Sequence, residues 1–317
     1  MARICITGFY GWSNCGDEGI LLAIMDSLGD HDYIVCTNLP FNMLENYKTR
    51  LPRSVEEVRQ IYDVRSDYDG FLLGGGALSW GFGWRQALTA FASDKPSMNY
   101  AVGYNNHQIY SPRLKSLYRE FLKQFDAITV RDEHSQHIAE EIGVETTLTA
   151  CPSINLKEEE FDCPKNMIAV CPRYEDYGSN EPQLKQLAMR LIDVEDEVLL
   201  IPFAPCNSEG VPVDLVLCRE LKRTLKHSQI LDTDGVSPRK IKYAISQSKL
   251  VISGGRYHAL VWASAHNISF EACLTAVTNY PKIGAFMNMY EKYGSDKMKQ
   301  MEKQNRKIFL KTMKGSN

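Results

Sequence analysis

Leu250-Val251-Ile252-Ser253-Gly254-Gly255-Arg256-Tyr257-His258-Ala259-Leu260 is the stretch that decides the fold of this chain. An apolar, β-branched run empties through two glycines into a helix-forming segment, the pattern of a buried strand that turns directly into a helix. Such a junction presents backbone N–H groups and the positive end of a helix dipole, which together attract an anion. Arg256 and His258 stand in the first turn of that helix. A guanidinium fork suits a phosphate or carboxylate, and an imidazole exchanges a proton near neutral pH. One segment therefore offers an anion clamp and a candidate acid/base. Read alone, it fits equally well a plain structural turn with a solvated arginine.

Outward from this stretch, strand-like and helix-like segments alternate along the whole chain. Strands are expected over 3–8, 33–37, 70–73, 97–102, 127–130 and 146–149, and helices over 17–28, 54–61, 113–124 and 133–142. The charged, proline-containing run Lys157-Glu158-Glu159-Glu160-Phe161-Asp162-Cys163-Pro164 then interrupts the pattern as an inter-domain crossover would. A second series follows, with strands at 167–171, 197–202, 229–231, 250–253 and 268–271 and helices at 183–192, 213–225, 238–246, 257–265 and 283–290. The expected class is α/β: two Rossmann-like domains, residues 1–158 and 165–290, whose parallel sheets face a cleft, where ligands of open sheets bind. Residues 291–317 form a basic, helix-prone tail, either a solvated face or a segment packed back on the first domain.

Composition narrows the function classes. The chain has 317 residues, 44% hydrophobic and 24% charged, enough to bury two medium cores. A net charge of -3 gives no general electrostatic reason to bind nucleic acid, and no aromatic-plus-basic module occurs. The nine cysteines are scattered without a C-x-x-C pair or zinc spacing, so reduced, buried thiols and no metal are expected. The first residues lead straight into a strand-like run, and no apolar run reaches transmembrane length. The expected location is the cytoplasm, at the inner face of a membrane if the partner lies there.

Three further segments read as walls of the cleft. The turn after the first strand, Gly8-Phe9-Tyr10-Gly11-Trp12-Ser13-Asn14-Cys15-Gly16-Asp17-Glu18-Gly19, lacks the G-x-G-x-x-G spacing of a dinucleotide site, and the second strand ends in Cys36-Thr37-Asn38 with no acid for a ribose. In it Asn14 and Asp17 offer hydrogen bonds to a polyhydroxylated ligand, with a helix N-cap as the favoured reading of Asp17 and a loop brace as the alternative for Asn14. Gly74, Gly75 and Gly76 follow the buried run Gly70-Phe71-Leu72-Leu73. Three successive glycines are conformationally costly and point to close approach of a ligand or backbone. Arg131 ends a strand at Thr129-Val130 and either points into the cleft or pairs with Asp132 or Glu133. His107, His134, His137, His227 and His266 form no ligand cluster.

Taken in order, these segments resemble the polysaccharide pyruvyl transferase family. The matching elements are Asn14-x-Gly16-Asp17-Glu18, Gly74-Gly75-Gly76, Arg131-Asp132 with Ser135, Ser253 or its neighbouring Gly254 and Gly255 with Arg256, His258 and Ala259, and Lys282 after the last strand. The resemblance implies a GT-B-like architecture and transfer of the enolpyruvyl carbons of phosphoenolpyruvate to two hydroxyls of one sugar, with no cofactor. It also implies a glycan acceptor, free or lipid-linked, and release of phosphate. A donor with a phosphate and a carboxylate needs cations, for which Arg256, Lys282 and Arg131 are the candidates, and His258 is the candidate proton donor. The second domain would then hold the donor phosphate and the first the acceptor. Cys151-Pro152-Ser153, Gly103-Tyr104-Asn105-Asn106-His107 and Ser269 depart from the family pattern and bear on the acceptor. A nucleotide-sugar glycosyltransferase and a non-catalytic sugar or phosphate binder are the competing readings.

Overall fold

The computed structural model describes residues 1–37, 55–60, 67–74, 76, 95–104, 112–175, 179–205, 213–273 and 280–315. Gly75 and His107 lie outside them. Two fully parallel sheets carry the chain. The first has seven strands in the order β3-β2-β1-β4-β5-β6-β7, and the second five in the order β10-β9-β8-β11-β12. In the first, β1 (Arg3–Thr7), β2 (Asp32–Thr37), β4 (Gly70–Gly74), β5 (Ser97–Val102), β6 (Ala127–Val130) and β7 (Thr147–Leu148) lie where the apolar runs placed them. The second consists of β8 (Ile168–Pro172), β9 (Val198–Leu200), β10 (Ser228–Ile230), β11 (Leu250–Gly254) and β12 (Ser269–Ala272). Both sheets reverse strand order beside their first strand, between β1 and β4 and between β8 and β11, which opens a crevice at the carboxyl ends of those strands.

One element differs in kind from expectation. Residues 54–61 are expected to be helical, but Val55–Gln60 is the edge strand β3, paired in parallel with β2. An edge strand uses one side of its ladder and tolerates charged residues, so pairing with β2 overrides a weak helical pattern.

Two helices lie between the sheets. In α1 (Cys15–Leu28) twelve of fourteen residues are buried, and in α7 (Tyr257–Ala265) all nine are. A helix apolar all round must be covered on every side, and these two cover each other. A Cβ on Gly19 would come within 2.9 Å of the Trp262 ring, which stacks at a tilt on Phe203 with centroids 5.2 Å apart. A single apolar cluster therefore runs from Ile4 in β1 to Val251 in β11. Polar contacts cross the same seam: Arg239, in α6 (Pro238–Ser246), donates to both carboxylate oxygens of Asp26 at 2.7 Å and to the Lys157 carbonyl at 3.0 Å. Buried Lys242 donates to the carbonyls of Ile154 and Leu156, at 2.9 and 2.8 Å, and so ties α6 to the 3-10 turn Pro152–Asn155.

The remaining helices are α2 (Pro112–Leu122), α3 (Glu133–Glu141), α4 (Glu181–Leu191), α5 (Asp214–Thr224) and α8 (Tyr280–Gly315). The last is broken at Gly294, where φ is 68°. Beyond the break it packs back onto the first sheet. Thr129 donates to Asn305 Oδ1 at 2.6 Å, and a Cβ on Gly70 would meet Met313 Sδ at 2.4 Å. The tail is thus a packed strap with one solvated face.

Candidate active site

The N-termini of α1 and α7 meet where the two crevices face each other. Asn14 caps α1: its backbone is extended (φ -92°, ψ 100°) and its Oδ1 accepts from Gly16 N at 3.3 Å. The helix therefore begins two residues earlier than expected, and Asp17 is not its cap. Asp17 instead sits in the first turn, 6% exposed, accepting from Asn14 Nδ2 at 2.5 Å. Cys15 N donates to the Phe203 carbonyl at 2.9 Å, a backbone bond from one sheet's helix to the other sheet's loop.

The glycines around this junction are dictated by space. A Cβ on Gly8 would lie 1.8 Å from the Gly74 carbonyl oxygen, one on Gly76 2.6 Å from Asp17 Oδ1, and one on Gly16 2.1 Å from His258 Nδ1. Gly74 also receives a hydrogen bond from Tyr10 Oη to its carbonyl at 2.8 Å. The glycine turns after β1 and β4 thus close around Asp17 and bring it to the second sheet.

From the second sheet, β11 runs into α7 through Ser253, Gly254 and Gly255. Gly255 has φ 106°, a conformation that favours glycine, and a Cβ on Gly254 would lie 2.6 Å from Gln183 Oε1. Ser253 Oγ accepts from Gly255 N at 3.2 Å and donates to the Arg256 carbonyl at 2.9 Å, so its hydroxyl braces the turn. Arg256 occupies the cap position of α7 and sends its guanidinium to Asp214, leaving Nε without a hydrogen-bond partner among the described residues. His258 stands in the first turn of α7, 7% exposed, with Nε2 also unpartnered among the described residues.

Arg131 reaches the junction from the carboxyl end of β6. It is 2% exposed, contacts Asp132 at 3.4 Å and lies 4.2 Å above the Tyr257 ring. Both readings of this residue hold: it pairs with its neighbour, and it points across to the second sheet. Gly103 makes room, since a Cβ there would sit 2.5 Å from Arg131 Nε. Lys282 enters from the first turn of α8.

The electrostatics tie these groups into one pocket. Burial raises Asp17 to about 6, against the opposing pull of Arg131, Lys282, Arg256 and Arg173. Burial lowers His258 well below its ordinary value, and Arg131, Arg256 and Lys282 push it the same way, so the imidazole is neutral. Lys282 falls to about 8 through burial and the proximity of Arg173 and Arg131. Burial raises Cys15 and Cys151 and keeps both as thiols, poor nucleophiles. Arg131, Arg173, Arg256 and Lys282 all act on Asp17, and three of them also pair with a carboxylate of their own, Arg131 with Asp132, Arg173 with Glu175 and Arg256 with Asp214; cations of this kind can turn toward a bound anion. Among the described residues no group of three or more His, Cys, Asp or Glu is placed to hold a metal, and no helix is long and apolar enough to cross a membrane.

Two contributors escaped the sequence reading. Arg173 follows β8 directly, at a strand's carboxyl end like Arg131 and Arg256, and that position was a usable signal. Asp214 gave none. Its carboxylate is fully buried at the start of α5 and accepts from Tyr174 N and Ala204 N, both at 2.9 Å, as well as from Arg256. It joins the loops after β8 and β9 to the arginine of the β11 turn.

Two Rossmann-like parallel sheets with a polar pocket between their carboxyl ends define a GT-B-like protein. Solved structures of the same fold include UDP-N-acetylglucosamine 2-epimerase from Rickettsia bellii, with a TM-score of 0.60, 11% identity, and coverage of 99% of this chain and 96% of that one. The UDP-GlcNAc 2-epimerase from Neisseria meningitidis bound to UDP-GlcNAc aligns with a TM-score of 0.51 at 11% identity, covering 99% and 100%. The Anabaena protein Alr3699/HepE in complex with UDP-glucose aligns at 0.50 and 11%, covering 100% and 98%. At such identities these likenesses speak for the fold alone. The family model for polysaccharide pyruvyl transferases matches residues 14–270, and the chain belongs to that family. No curated protein sequence matches it.

Proposed function

We propose that the protein transfers the enolpyruvyl carbons of phosphoenolpyruvate to two hydroxyls of one sugar in a cell-surface polysaccharide or its lipid-linked precursor, forming a cyclic ketal. The observation that carries this reading is that Arg131, Arg256 and Lys282 act on both of two buried groups, Asp17 and His258, with Arg173 acting on Asp17 as well. Phosphoenolpyruvate carries a phosphate and a carboxylate, and the N-terminus of α7 adds its N–H groups to the four cations.

The same charges supply an order of events. In the free protein burial, and after it the charges of Arg131, Arg256 and Lys282, keep His258 neutral. The bound donor offsets them, so the imidazole takes up a proton only once the donor is present. His258 then gives that proton to the methylene carbon while Asp17 accepts the proton of the first hydroxyl, whose oxygen bonds to the central carbon. The C–O bond to phosphate breaks next, leaving an oxocarbenium-like centre that the cationic pocket's carboxylate contacts hold in place. The second hydroxyl closes the ring, and its proton leaves with the phosphate. No redox cofactor and no metal enter this scheme.

Structural relatives were crystallised with UDP sugars, so nucleotide-sugar transfer is the reading to separate. Incubation with phosphoenolpyruvate and a panel of glycan acceptors, with chelator present, should release inorganic phosphate in step with a product heavier by a ketal-linked pyruvate. Release of UDP from a nucleotide sugar, with no phosphate from phosphoenolpyruvate, would overturn the proposal.

A further inference from the structure

The strap that crosses the first sheet has two unlike faces. Beyond the break at Gly294, the inner side of α8 buries Met298, Met301, Glu302, Asn305 and Phe309. Helical periodicity puts Lys303, Lys307, Lys311 and Lys314 on the opposite side, with Lys297 and Arg306 on its two flanks, and all six are exposed. Lys299, half-buried at the margin, pairs with Asp296 at 3.8 Å, whereas none of the six makes an ion pair among the described residues. At 1.5 Å per residue the strip is about 25 Å long.

The strip departs strongly from the charge of the rest of the protein. Residues 297–317 carry seven Lys or Arg against one acid, the buried Glu302, a net of +6. The whole chain has 36 basic and 39 acidic residues, so the remainder has 29 against 38, a net of -9. Charge segregated in this way orients a molecule in an external field.

We infer that the outer face of α8 docks on an anionic lipid bilayer. A plane of acidic headgroups is recognised by charge alone, and a straight row of cations on a helix that is already packed meets it without folding cost. The alternatives fit less well. Single-stranded nucleic acid is gripped by aromatic side chains beside the cations, and the face offers none, since Phe309 points inward and is fully buried. A protein partner would require an apolar anchor at the centre of the patch, where Gln300, Gln304 and lysines stand and the apolar residue beside them is a single, partly buried Leu310. The inference does not depend on the reaction proposed above.

Sedimentation of the full chain with vesicles tests it. Vesicles of phosphatidylcholine mixed with phosphatidylglycerol should carry the protein down at low ionic strength and release it as salt rises, whereas phosphatidylcholine alone should not bind it. The variant Lys303→Gln/Lys307→Gln/Lys311→Gln/Lys314→Gln should keep its melting temperature and lose at least about a hundredfold in affinity, from roughly fivefold per charge. Replacing the same four lysines by Arg should leave binding intact. The inference fails if anionic vesicles do not bind at low salt, if the glutamine variant binds as well as the parent, or if a single-stranded oligonucleotide binds the same face more tightly than the vesicles. Should the fourfold variant unfold, Lys303→Gln/Lys307→Gln alone should cost about 25-fold, and unchanged binding by that pair would be equally fatal.

Discussion

Replacing Asp17 by Asn should make the protein more stable at neutral pH and inactive. In the folded chain burial raises the Asp17 carboxyl from 3.8 to about 6. Between those values the native state keeps a proton that the unfolded chain has released, so stability falls as pH rises through this window. The shift is about 2.2 units, and at about 1.36 kcal/mol per unit the loss approaches 3 kcal/mol, complete above pH ~6. Asparagine has nearly the same shape, can still accept from Asn14 Nδ2 through its amide oxygen, and does not titrate. The difference in unfolding free energy between Asp17→Asn and the parent should therefore grow in the variant's favour by about 3 kcal/mol from pH 3.5 to pH 7.5. Urea unfolding at several pH values measures it. Turnover should fall by about 10²–10⁴-fold if Asp17 takes the proton of the attacking hydroxyl. A stability difference that does not change with pH, or a variant less stable than the parent at pH 7.5, would refute the assignment of a buried, strained carboxylate. Full activity in the variant would remove Asp17 from the proton path.

Three other outcomes are expected. His258→Gln should retain its melting temperature yet lose about 10²–10⁴-fold in turnover, and calorimetry in buffers of different ionisation enthalpy should show proton uptake on binding phosphoenolpyruvate in the parent that the variant lacks; normal turnover in a folded variant would mean that the acid lies elsewhere. Asp214→Asn leaves Arg256 without its counter-charge and one backbone amide without an acceptor, so we expect a loss of about 1–3 kcal/mol in stability together with weaker donor binding, whereas a change in stability alone would limit Asp214 to the fold. If residues 1–158 and 165–290 are separate domains, proteolysis in the exposed run 158–160 should yield two fragments that remain associated through the shared core around Trp262, and complete protection of this run would contradict the boundary.

The sequence alone determined the fold class and most of the pocket, because both reside in local signals. Apolar runs such as Leu250-Val251-Ile252 and Phe71-Leu72-Leu73 can only be buried strands, and a glycine or arginine directly after such a run must lie at the strand's carboxyl end, where open parallel sheets bind ligands. Arg131 and Arg256 were legible in this way, with His258 two residues further on, before any contact between them was known, whereas Asp17 read first as a helix cap. Tertiary structure decided what no local pattern encodes. It turned 54–61 from an apparent helix into the edge strand β3, since pairing with β2 outweighs a weak helical spacing. It gave the cap of α1 to Asn14, leaving Asp17 free to face the second sheet. It brought Asp214 to Arg256 across 42 residues of chain and set the N-termini of α1 and α7 against each other. The shifted titrations follow from that last placement: burial raises the Asp17 carboxyl against the pull of four cations, and burial together with three of the same cations lowers the His258 imidazole.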